Sequence, residues 1–116
     1  MSKWARLKSK AGGQARPSLT AATTMYINQG DDEYNVAGTA TVTSLTADTA
    51  TRGRTIRLYV TSGALTLTNS PGTTTVGQMD LGALDPANVV LETSDSITLL
   101  LRSDGTWVRV VEQVNN

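Results

Sequence analysis

Between Arg54 and Thr68 apolar and polar side chains alternate with a period of two, and that alternation confines the chain to strands. In Arg54-Thr55-Ile56-Arg57-Leu58-Tyr59-Val60, Ile56, Leu58 and Val60 share one face, and Arg57 and Tyr59 share the other, because successive Cβ atoms of a strand point to opposite sides. Ser62-Gly63 reads as a tight turn into Ala64-Leu65-Thr66-Leu67-Thr68, with Leu65 and Leu67 inward, which predicts a β-hairpin. A second hairpin is predicted from Ser96–Leu101 through Ser103-Asp104-Gly105 into Thr106–Val111. Its inner face is expected to hold Ile97, Leu99, Val108 and Val110, with Trp107, Arg109 and Val111 opposite. Nineteen Thr residues agree with this reading, since β-branched side chains suit a pleated, half-buried surface.

The remaining chain follows the same rule. Met25 and Ile27, then Tyr34 and Val36, read as short strands around Gly30-Asp31-Asp32-Glu33. Asn69-Ser70-Pro71-Gly72 is turn chemistry, Asp85-Pro86 ends a longer connection, and Asn88–Glu92 is another strand. The expected fold is all-β: a small antiparallel β-sandwich or barrel-like domain over residues 23–116, preceded by an extended basic arm over 1–22. Gly38-Thr39-Ala40-Thr41-Val42-Thr43 echoes Gly63-Ala64-Leu65-Thr66-Leu67-Thr68 twenty-five positions later. Two copies fall short of the three or more a solenoid generally needs, so two similar strands after a turn glycine is the simpler account.

The formal charge is zero but unevenly placed. Lys3, Arg6, Lys8, Lys10 and Arg16 give the first sixteen residues +5 with no acid, while five Arg against ten acids give the remainder −5. A solvating tail has little use for Trp4 and Leu7, and an acidic body repels a duplex, so nucleic acid is not the expected partner. An arm that docks on a protein surface through Lys3, Trp4, Arg6, Leu7, Lys8, Lys10 and Arg16 is preferred, Trp and Arg being enriched at interface hot spots. With few aromatics and no Cys to form a staple, a lone chain is expected to have a thin core, and self-association is the expected remedy. No secretory signal, membrane span or lipidation motif is read, so a soluble protein without a membrane partner is expected.

Enzymatic chemistry is not expected. Without His or Cys, the usual zinc sites, thiol catalysis and the commonest general base are missing. No phosphate loop or dinucleotide fingerprint occurs, and no cofactor or metal is expected. A glycosidase needs only two carboxylates, for which Asp80, Asp85, Asp95 and Asp104 are candidates. Asp85, Asp95 and Asp104 each sit at a turn, where Asp bonds the local backbone, and that role is simpler. Asp31-Asp32-Glu33 lacks the alternation of a calcium loop and reads as a solvated loop.

Gly38-Thr39-Ala40-Thr41-Val42-Thr43-Ser44-Leu45, Arg54–Leu58, Leu65–Asn69, Asp95–Leu100 and Asp104-Gly105-Thr106-Trp107-Val108 together resemble the small β-domains of tailed-phage head fibres, capsid decoration proteins and tail-fibre tips. The resemblance covers Val36–Val111 and implies a homotrimer. The implied function is capsid decoration, a cement protein made in the host cytoplasm and resident on the virion. Its partners would be itself and the major capsid protein or another virion protein. The trimer is expected to form through the apolar face of Ile56, Leu58, Val60, Leu65, Leu67, Ile97, Leu99, Val108 and Val110. The alternative is a head-fibre or tail-fibre tip that binds host glycan through Tyr26, Tyr34, Tyr59 or Trp107.

Overall fold

The computed structural model describes residues 16–27, 30–82 and 88–110. Within them lie β1 (Ser18–Thr20), β2 (Thr24–Ile27), β3 (Glu33–Ala37), β4 (Ala40–Val42), β5 (Ser44–Ala47) and β6 (Thr55–Ser62). They are followed by β7 (Ala64–Leu67), β8 (Met79–Asp80), β9 (Val89–Glu92), β10 (Ser96–Leu101) and β11 (Trp107–Arg109). A single 3-10 turn, Thr49–Thr51, is the only helical element among the described residues. The all-β class expected from the Thr and Val content is therefore observed.

The strand directions follow a different plan from the expected antiparallel one. β1, β3 and β6 stack in parallel in one sheet, β2 and β5 in a second, and β4 and β7 in a third. The chain thus coils, visiting each face in turn and returning above itself. Ala40 lies opposite Leu65, Thr41 opposite Thr66 and Val42 opposite Leu67, so the twenty-five-residue echo is the register of two stacked coils. Antiparallel strands close the coil: β9 on β7, β10 on β6, and β11 on β10, with β8 completing the large sheet in the order β1-β3-β6-β10-β11-β8.

Gly63 consequently makes no hairpin turn. β6 and β7 belong to different sheets, and Gly63 is a corner of the coil. Its φ is +81°, and it sits directly over Gly38, whose φ is +108°. A Cβ at Gly63 would lie 2.5 Å from the Gly38 carbonyl carbon and nearer still to its oxygen, so two corners can stack only where the upper one is glycine. The alternation of residues 54–60 and 64–68 was legible, but alternation carries no information on whether a strand turns back or turns a corner.

Stacking aligns apolar side chains into columns inside the coil. Leu19, Val36 and Val60 form one, Tyr34, Leu58 and Ile97 another, and Val42, Leu67 and Val89 a third. Met25 over Leu45, Ala40 over Leu65 and Leu91, and Ile56 beside Leu99 fill the rest. At about 1.5–3 kcal/mol for each large side chain withdrawn from water, this cluster dominates the stability of the domain. The core is closed within one chain, which corrects the thin core read from composition and removes that argument for self-association.

The second predicted hairpin is present as β10 and β11, with its faces reassigned. Trp107 lies opposite Leu101 and is fully buried, whereas Val108 lies opposite Leu100 on the outer face, half-buried like Val110. The indole has the most apolar area to hide, and its polar handle finds a partner inside: Trp107 Nε1 donates to Leu45 O at 3.0 Å. That bond ties the closing strands to β5 across the core.

Candidate functional site

The large sheet has one face in the core and one outside. On the outer face the register brings Glu33, Arg57 and Thr98 into one row and Asn35, Tyr59 and Ser96 into the next. Arg16, just before β1, lies over this face. Its guanidinium carbon is 3.8 Å from the centre of the Tyr59 ring, Nη1 donates to Asn35 Oδ1 at 3.0 Å, and Nε pairs with Glu33 Oε1 at 3.4 Å. Tyr59 Oη donates to Glu33 Oε2 at 3.3 Å, and the Arg57 guanidinium, 5.9 Å from the same ring, donates through Nε to Thr98 Oγ1 at 2.9 Å. The site is a cation–π stack held by a carboxylate and an amide. Its contacts are partly exposed, worth about 0.5–1 kcal/mol each.

This cluster reassigns Arg16. The sequence groups it with the docking arm, but the structure clasps it to the β-domain, and β1 itself falls within the span expected to be arm. The other arm residues, Lys3, Trp4, Arg6, Leu7, Lys8 and Lys10, lie outside the described residues. Glu33 and Asn35 were not singled out from sequence. Their alternation with Tyr34 and Val36 marked them as outward, but only the parallel pairing of β1 on β3 brings Arg16 to them.

The face expected to join chains is mostly inside one chain. Ile56, Leu58, Val60, Leu65, Leu67, Ile97 and Leu99 are all at most 4% exposed, so none is available to a second copy while the domain stays folded. Of the four aromatic residues considered for glycan binding, two are corrected. Trp107 is buried, and so is Tyr34, whose Oη donates to Asp31 O at 2.8 Å and accepts from Asp31 N at 3.1 Å. Burial raises the Tyr34 phenol above its ordinary value. Tyr59 lies beneath Arg16, and Tyr26 stands out at 59% exposure.

The candidate carboxylates serve turns. Asp80 accepts from Gly82 N and Gly72 N, Asp95 accepts from Glu92 N, and Asp85 lies outside the described residues. Asp104 accepts from Thr106 Oγ1 at 2.7 Å and Thr106 N at 3.0 Å, and those bonds hold its carboxyl below the ordinary value. A depressed value suits a permanent acceptor, the reverse of what a general acid needs. Asp32 pairs with Arg54, Glu33 with Arg16, and Asp31 holds Tyr34 through its backbone. Among the described residues no three His, Cys, Asp or Glu side chains gather to hold a metal ion, and no helix is long and apolar enough to cross a membrane.

The fold and site together define a short parallel β-coil closed by antiparallel strands, with Arg16 held on its outer face just before the first strand. No known protein family, curated protein or solved structure matches the chain.

Proposed function

We propose that this protein is a non-enzymatic structural module of a phage virion, a capsid decoration protein that works as a homotrimer and docks through its N-terminal basic segment. The observation that carries the reading is the Arg16 clasp. The basic stretch of sequence that contains Trp4 and Leu7 leads into Arg16, which is held on the outer face of the largest sheet. Such a root lets a weakly binding arm act from a defined position. Several arms on one oligomer gain avidity, about 10²-fold or more, without any one tight site. The trimer follows from the resemblance of residues 36–111 to phage β-domains, and its contacts must be sought outside the core.

Co-sedimentation tests the reading, using particles produced by the genome that encodes the chain. The full chain is expected to sediment with heads and a chain starting at Arg16 to remain in the supernatant. Equal binding by both, or by neither, contradicts it. Tyr26, exposed on β2, favours a second reading as a glycan-binding tip. In that case Tyr26→Ala abolishes host adsorption while virion attachment persists.

A further inference from the structure

β1 is an edge strand of the large sheet. It has three residues and pairs with β3 alone, with Ser18 and Thr20 exposed and Leu19 half-buried. Its backbone is fastened to β3 at both ends: Asn35 N donates to Pro17 O, and Ala21 N donates to Ala37 O, each at 2.9 Å. The side-chain contacts of Arg16 reach β3 and β6 as well. Beyond β1, Thr23 O accepts from Thr43 N and Ser44 N, which commits it to the next stack. The joint between these two sets of contacts is Ala22, which is exposed.

The contacts of residues 16–21 with β3 and β6 are chemically the same whichever copy supplies the segment. An identical terminal element is the usual currency of exchange between protomers. Charge favours such traffic, because residues 1–16 carry +5 and the remainder −5, so each basic segment is attracted to every acidic body. We infer that in the oligomer the Arg16–Thr20 segment of one copy lies on the Glu33–Ala37 edge of a second copy, linking the chains segment to body. The inference rests on the oligomeric reading above and deepens it: the first copy supplies the Arg16 that completes the Glu33–Asn35–Tyr59 site of the second. It also accounts for joining chains whose core faces are closed.

The absence of Cys makes the test direct. Thr20 and Ala37 are register partners, both exposed, and neighbouring strands about 4.8 Å apart place their Cα atoms within disulfide reach. The Thr20→Cys/Ala37→Cys chain is purified, oxidised and run on a denaturing, non-reducing gel, while the unaltered chain is weighed by light scattering. Exchange predicts that the 12.2 kDa band is lost to covalent products of two or more chains. A disulfide confined to single chains, or none, overturns the inference. If the unaltered chain then weighs three chains, exchange fails and the oligomer stands; if it weighs one, both fail.

Discussion

Replacing Gly63 with Ala separates a coil corner from a hairpin turn. In a free turn, an L-residue at positive φ costs about 1–2 kcal/mol. Gly72 is such a position, with φ of +71° and open space where a Cβ would go. At Gly63 the same conformational cost applies, and the new Cβ also meets Gly38 backbone and lies 2.8 Å from Thr39 Oγ1. Backbone cannot rotate away as a side chain can, so the corner must lift. Lifting strains the bond from Gly38 N to Ser62 O at 3.1 Å and that from Ala64 N to Thr39 Oγ1 at 3.2 Å. Losing one of these bonds adds about 1 kcal/mol, and displaced packing beneath the corner adds a similar amount, giving about 3–4 kcal/mol in all. For a domain of this size that lowers Tm by roughly 12–30 °C. Urea unfolding of Gly63→Ala beside Gly72→Ala measures the difference. A Gly63→Ala cost equal to that of Gly72→Ala would refute stacked corners.

Trp107→Phe removes the donor to Leu45 O and leaves that carbonyl buried without it, so a loss of about 2–4 kcal/mol is expected in chemical denaturation; a near-neutral result contradicts the clamp. Ser94 holds φ of +82° in the turn between β9 and β10, so Ser94→Gly should stabilise by about 0.5–1 kcal/mol, read as a higher Tm. The raised phenol of Tyr34 stabilises the fold below the unfolded phenol value near pH ~10, and that stability is lost as pH climbs through the folded value. Tyr34→Phe should flatten this alkaline limb and cost about 1 kcal/mol at neutral pH through the lost bond to Asp31 O. The lowered carboxyl of Asp104 has the opposite sense: its contribution is present above the unfolded value near pH ~3.9 and fades as pH falls through the folded one. Asp104→Asn should therefore be less stable than the unaltered chain at neutral pH and converge with it in acid.

Much of the fold was legible in side-chain pattern. Ile56, Leu58, Leu65, Leu67, Ile97 and Leu99 are buried as their alternation requires, and Asp104-Gly105 turns β10 into β11. Pairing direction was not legible, because a strand's alternation is the same beside a parallel or an antiparallel neighbour. The repeat beginning at Gly38 and Gly63 held that information, but two copies of a Thr-rich pattern are what any β-rich chain supplies. The inversion at Trp107 has a different cause. The turn sets which residue of β11 faces Leu101, and one residue of register moves every side chain to the other face. The candidate site was half-visible: Arg16 belonged to a recognisable basic run, yet its partners Glu33, Asn35 and Tyr59 come from two later strands that only the coil brings beneath it.

Light scattering of the full chain, beside a chain starting at Arg16, tests most directly whether this is an oligomeric structural module. Both are predicted to weigh three chains, the full-length particle being three times 12.2 kDa, because the β-domain and the Arg16 clasp are retained in each. A one-chain mass for both, unchanged with concentration, would contradict the account.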